Sequence, residues 1–443
     1  MLLSAVLATT ATVSAMDCAT PAALDALRGV RPATHSSMLI RPASLTPPVG
    51  PPPPDRTHYG SPLEDHYDTE HFSINWWDAS VSPEDVSAAA EALEMGWQAF
   101  IEAQGWPAPA SSESWYLWVM LDPSLGSTTG YTTEYSSDDY PDGYPIIYIN
   151  PHTREAYGED FYAALAAHEF MHAIQFGMRD YGDAGGDLEN WYWEASATHA
   201  SELADPTVDG HQYTSEWYAM RPEVRYDSYE SSHQYGMFVF NAWLEDALGA
   251  HTMRATWEAS VGRAGQPWPT ILEAATATPP EVLWAGFTHA YGNQTLPESH
   301  QYAQAAVQGP LSDTAAGTLP ELGTHYWTID EDTDVGVVSG DVILGGAAAA
   351  MAPVSMAAGA VLSVTALADS TDYVLQLAAP GELVDPPIDD SGHPADSGET
   401  DATEFSSSRS SDGDKGGCAT APAAGGLLFA MLAVFRNRQT LSP

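Results

Sequence analysis

The stretch from Phe161 to Phe176, Phe-Tyr-Ala-Ala-Leu-Ala-Ala-His-Glu-Phe-Met-His-Ala-Ile-Gln-Phe, constrains the chain more than any other segment. Its Ala and Leu content makes it strongly helical. In a helix, residues four apart lie one turn above one another, so His168 and His172 can aim imidazole nitrogens at one metal ion while Glu169 flanks the same place. A carboxylate there can take a proton from a water whose pKa zinc has lowered towards ~7, and return it to a leaving amine. So short a pattern also arises by chance in ordinary helices, and context has to decide.

Two neighbours supply context. The run from Tyr144 to Ile149 is β-branched and aromatic and is bounded by Gly and Pro, so it reads as a strand. Its part from Ile146 to Ile149 is placed to run along a cleft and pair with an extended peptide. A zinc site also needs a third protein ligand. Glu194 stands 22 residues beyond His172 in Trp191-Tyr-Trp-Glu-Ala-Ser-Ala-Thr198, where a second Ala-rich helix opens. Glu189 is the competing ligand, and Glu202 also lies near. His199, five residues on and about 140° around the helix, should face elsewhere. The non-functional alternative makes Glu194 an N-terminal carboxylate that favours the helix dipole.

At these residues the chain resembles the gluzincins, thermolysin-like metallopeptidases whose two motif histidines are joined by a glutamate from a later helix. The resemblance covers roughly residues 67–250. It implies zinc held by His168, His172 and Glu194, with Glu169 as general base. It departs from the thermolysin pattern at Thr198, where those enzymes carry an Asp that supports a zinc histidine through its second nitrogen. Metzincins are excluded, because Gln175 and Met178 occupy the positions of their required Gly and His. A transition-state stabiliser should sit on a later segment. His233 or Tyr235, opening the helix from Ser232 to Phe240, can donate to a tetrahedral oxyanion, and the resemblance favours the Tyr235-Gly236 pair. Tyr235 as a core ring is the competing reading.

The rest of the chain predicts an α+β fold: a zincin-like catalytic domain, with a mixed sheet, an active-site helix and a helical lower half, followed by a small β-sandwich. His71 to Trp76 alternates like a half-buried strand. Ser82, Pro83 and Asp85 then open a helix whose apolar face is Val86, Ala90, Leu93, Trp97 and Ile101. Strands at Trp115 to Leu121 and Tyr144 to Ile149 complete the order strand, helix, strand, strand. Helices follow over 237–310, including Phe238 to Leu248 and Pro280 to Ala290. From Thr324 short strands succeed one another, at Tyr326 to Ile329, Val335 to Val338, Val342 to Leu344, Val361 to Leu367 and Tyr373 to Leu377. Trp191, Tyr192, Trp193, Trp217 and Tyr218 suit either substrate subsites or core. Asp138, Asp139 and Asp142 offer oxygens for a calcium ion but lack the EF-hand spacing, and an acidic solvated turn is the account that the sequence favours.

With 14 Lys and Arg against 60 Asp and Glu, the 443-residue chain carries a formal charge of −46, which repels phosphate backbones and excludes nucleic acid as a partner. The two cysteines, Cys18 and Cys418, stand at opposite ends and define no disulfide framework. Leu2 to Val13 followed by Val13-Ser14-Ala15 reads as a signal peptide cleaved after Ala15. Pro47-Pro48 and Pro51 to Pro54 mark a linker or propeptide. Gly416-Gly417-Cys418, the apolar run from Ala421 to Phe435, and Arg436 and Arg438 resemble the MYXO-CTERM sorting tail of myxobacterial exported proteins. Together with Trp-x-Trp-Glu-Ala-x-Ala, this tail makes the match closer to myxobacterial metalloproteases than to thermolysin. The expected division is 1–15 signal peptide, 16–66 linker or propeptide, 67–310 metallopeptidase, 320–380 β-sandwich, 381–417 acidic stalk and 418–443 sorting tail. The expected function is that of a secreted or cell-surface zinc endopeptidase. It acts on protein or peptide, meets membrane only through its tail, and works as a monomer. The alternative is a catalytically degenerate zincin-fold protein for surface binding or adhesion.

Overall fold

A computed structural model describes residues 57–58, 61–63, 65–137, 140–179, 190–205, 211–296, 301–312, 314–345, 353–368 and 370–380. The expected signal peptide, stalk and sorting tail, most of 16–66, and both cysteines lie outside the described residues. So do Glu189, Asp138, Asp139 and the side chain of Asp142.

After a two-stranded ribbon, β1 (Thr57–His58) and β2 (Ser61–Pro62), the chain builds a five-stranded mixed sheet. Its strands are β3 (Asp65–Asp68), β4 (Phe72–Trp76), β5 (Leu117–Leu121), β6 (Gly130–Ser137) and β7 (Tyr140–Ile149), in the order β3-β4-β5-β7-β6. The central strands β4, β5 and β7 run parallel, and β3 and β6 are antiparallel edges. The crossover from β4 to β5 contains helix α1 (Pro83–Trp97), started by the expected capping box. Ser82 Oγ accepts from Asp85 N–H at 3.1 Å, and the Asp85 carboxylate accepts from Ser82 N–H at 2.9 Å. Val86, Ala90, Leu93 and Trp97 are buried as the spacing requires, and a π-helical turn, Gln98–Ala103, carries Phe100 and Ile101 into the same core.

The sheet corrects one expectation. Ile146 to Ile149 is no open edge, because it pairs with β5 on one side and β6 on the other. β6 escapes notice in the sequence because its Tyr, Thr and Ser residues make no apolar run. It is nevertheless the edge that lies against the motif helix. The sheet also begins at Asp65, two residues before the expected boundary.

Helices α2 (His152–Tyr157), α3 (Glu159–Phe176), α4 (Asn190–Ala204), α5 (His211–Met220), α6 (His233–Gly236), α7 (Phe238–Leu248), α8 (Thr252–Ser260), α9 (Trp268–Thr276) and α10 (Pro280–Gly292) follow. Trp191, Tyr192 and Trp193 pack in an aromatic core. Tyr192 lies 4.3 Å from Trp268 between ring centroids, and Trp193 lies 5.0 Å from Trp257. Their subsite reading is thereby replaced by the core reading, as is that of Tyr218. No described helix is long and apolar enough to cross a membrane.

Eight strands then form two four-stranded sheets around one apolar core. One sheet orders β12 (Val342–Leu344), β14 (Val361–Ala366), β10 (Thr324–Thr328) and β8 (Val307–Pro310). The other orders β13 (Val354–Met356), β11 (Thr333–Ser339), β15 (Thr371–Ala378) and β9 (Thr314–Leu319). The sandwich therefore starts at Val307, inside the stretch assigned to the preceding domain. Its first two strands are rich in Gly, Ala and Thr and carry little apolar signal. The fold is α+β, a mixed sheet with helices followed by separate sheets. The two parts are joined tightly: Tyr218 and Tyr326 hydroxyls lie 3.0 Å apart, and a Cβ on Gly292 would come 2.7 Å from the Tyr326 ring.

Candidate metal centre

α3 carries the motif, and α4 packs beside it. His168 Nε2 lies 3.2 Å and His172 Nε2 3.5 Å from Glu194 Oε2, and the two Nε2 atoms are 3.1 Å apart. Glu194 is thus where the spacing predicts a third ligand. A merely dipole-favouring carboxylate would sit in solvent, whereas this one is fully buried. Donors held about 2.05 Å from one cation in a tetrahedron stand ~3.3 Å apart, with a circumradius of about 1.9 Å. A triangle with sides of 3.1, 3.2 and 3.5 Å has the same circumradius, about 1.9 Å, so the three atoms fit one small divalent ion. The second oxygen, Glu194 Oε1, is buried with no hydrogen-bond partner among the described residues. The His168–His172–Glu194 group can hold a metal ion.

The electrostatics agree. His168, Glu169, His172 and Glu194 are each 0% exposed, so charge on any of them needs a partner. Burial opposes the charge on Glu194, but His172 and His168 outweigh it and hold the carboxyl at about 2. Burial likewise opposes a charge on His172, and Glu194 outweighs it, raising that imidazole above its ordinary value. Burial pushes Glu169 up, against the pull of His172 and His168. Two carboxyl groups and two imidazoles are thus buried together.

Glu169 is held by the sheet edge. Thr132 Oγ1, on β6, lies 2.9 Å from Glu169 Oε2 and 2.8 Å from the Glu169 carbonyl. Gly130 lets the strand approach, since a Cβ there would come 3.0 Å from Glu169 Oε1. The second nitrogens of the two histidines differ. His172 Nδ1 meets Gln175 Oε1 at 2.7 Å. His168 Nδ1 is buried without a hydrogen-bond partner among the described residues, as is Thr198 Oγ1, in keeping with the departure noted at Thr198. Thr132 and Gln175 were missed as site residues. Thr132 had no motif, and Gln175 stood only as the residue that excludes another family.

The later segment is brought in part to the site. The Tyr235 ring lies 6.2 Å from that of His168, with Trp217 packed behind it at 5.7 Å. Ser231 and Ser232 both adopt left-handed backbone (φ 56° and 63°) immediately before α6, and Gly236 allows α6 to press on α5, since a Cβ would fall 2.4 Å from Tyr218 N. His233 turns elsewhere. Its ring packs 5.6 Å from Tyr218 and is hydrogen-bonded to the Trp217 backbone, and burial depresses its pKa to about 4. His199 faces away from the ligands, as expected, with Nε2 3.2 Å from Glu245 Oε2. His71 is structural, paired with Glu94 at 2.7 Å and stacked on Trp97.

No protein-family model and no curated protein matches the chain. Among solved structures it is similar to Legionella pneumophila aminopeptidase A in complex with aspartic acid, at 10% identity and a TM-score of 0.34, over 69% of this chain and 34% of that one. The chain spans about a third of that protein's length. A likeness at that score carries no argument for this chain.

Proposed function

We propose that this protein is a zinc-dependent endopeptidase of gluzincin type. The observation that supports it most is the convergence of His168 Nε2, His172 Nε2 and Glu194 Oε2 beside the carboxylate of Glu169. A zinc ion held by those three residues supplies a Lewis acid for a peptide carbonyl and acidifies a neighbouring water. Glu169 takes a proton from the attacking water and delivers it to the leaving nitrogen, while Thr132 fixes the carboxylate's orientation. β6, an edge strand of the described sheet that carries both Thr132 and Gly130, aligns an extended substrate by strand addition. Tyr235, beside His168, donates to the oxyanion. The proposal includes export, with the C-terminal tail as a cell-surface sorting signal and zinc as the resident ion.

One observation favours a second reading, a zincin-fold surface-binding protein without turnover: all four central side chains are sealed from solvent. Casein cleavage separates the two. Hydrolysis by wild type that falls about 10²–10⁴-fold in Glu169→Gln with zinc retained supports the peptidase. No cleavage by either protein rejects it.

A further inference from the structure

The donor and acceptor roles around Gln175 are forced, one after another, by a tryptophan on a different helix. Trp257 Nε1, on α8, lies 3.1 Å from Ser196 Oγ on α4, and an indole N–H can only donate. The single proton of Ser196 is committed to the backbone carbonyls one turn back, those of Tyr192 and Trp193, which can only accept. Ser196 Oγ must therefore also accept from the Gln175 amide atom 3.0 Å away, which makes that atom Nε2. The Trp193 carbonyl, 3.2 Å from the same atom, imposes the same orientation independently, since a carbonyl can only accept. The other end of the amide, Oε1, then faces His172 Nδ1 at 2.7 Å and requires a proton on that nitrogen. In neutral His172 the lone pair is left on Nε2, which is the atom turned towards His168 and Glu194.

We propose that Trp257, Ser196 and Gln175 form a directional hydrogen-bond relay that presets His172 as an Nε2 metal ligand, with Gln175 as the positioning residue. Gln175, Ser196 and His172 are fully buried, so solvent does not compete for these roles. The relay uses a neutral amide where a carboxylate would add a third negative charge to a site that already buries Glu169 and Glu194. It also makes the two histidines unequal, because His168 Nδ1 has no such partner among the described residues. The inference rests on the metal-site reading but concerns a property of the protein without metal.

Two measurements on the full chain test it. In zinc-free wild type, at a pH above the His172 titration followed in the same spectra, long-range ¹⁵N–¹H correlation spectra, assigned by loss of signal in His172→Gln, are expected to show neutral His172 protonated at Nδ1. An Nε2–H tautomer overturns the proposal, and this readout needs neither zinc nor turnover. In chelator competition, Gln175→Leu, which removes the acceptor facing His172 Nδ1, is expected to loosen zinc about 10–100-fold. Unchanged affinity in a folded Gln175→Leu protein also overturns it. If these outcomes hold while casein is never cleaved, the peptidase reading fails and the relay stands.

Discussion

The α3–α4 helix pair and the β-sandwich are both closed to solvent at their centres, yet they bury opposite kinds of atom. The sandwich interior is Leu319, Val335, Leu344, Leu362, Val364 and Leu375, and it gains stability simply by leaving water. The helix pair buries His168, Glu169, His172, Gln175, Glu194, Ser196 and Thr198, groups that cost stability unless each finds a partner. The sandwich shows burial that needs no polar partner. The helix pair explains what the fold is able to hold.

The contrast is broken most severely by removing a ligand. Glu194→Ala should weaken zinc binding by more than the about 10–100-fold typical of outer partners, with the sandwich strands still giving native circular dichroism. Comparable zinc affinity would place the ion elsewhere. Leu375→Ala, in the sandwich core, should lower stability by about 2–5 kcal/mol in denaturant unfolding and leave zinc affinity unchanged. Coupled loss of metal there would show that the two regions are not energetically separate. Thr198→Asp sharpens the comparison between the two histidines. By offering His168 Nδ1 an acceptor it should tighten zinc by up to about 10-fold in chelator competition, and looser binding would show that the added buried charge dominates.

The smallest effect lies at the α1–α2 contact, where Arg154 Nε meets Asp85 Oδ1 at 2.6 Å. Burial would raise the Asp85 pKa, but Arg154 and Ser82 outweigh it and depress it. A depressed carboxyl contributes stability that is complete above its unfolded value of about 4 and is lost as the pH falls through its lower folded value. Arg154→Met should therefore flatten the acid side of the stability profile while changing little between its mutant and wild-type slopes near neutrality. An unaltered acid limb in urea melts from pH 5 to pH 2 would remove Asp85 from the account.

What the sequence reveals follows the range of the interactions. The Ser82–Asp85 capping box and the i, i+4 placement of His168 and His172 are local, and both are legible directly. Glu194 was reachable because its helix announces itself and one ligand was still owed. β6 was not, since Gly130–Ser137 has no apolar run and becomes a strand only by pairing with β7. β8 and β9 were hidden by the same lack of apolar signal. Gln175 acquires its role only when α4 brings Trp193 and Ser196 beside it and α8 adds Trp257, contacts that no local pattern encodes. The aromatics from Trp191 to Trp193 resemble a binding surface in one dimension and prove to be core in three.

The most direct test is a zinc titration of the metal-stripped full-length protein beside Glu194→Ala, followed by metal analysis. Wild type should take up one tightly bound zinc per chain, and the variant should lose it on dialysis. A wild-type chain that retains no zinc, or two chains that retain it equally, would contradict a centre built from His168, His172 and Glu194.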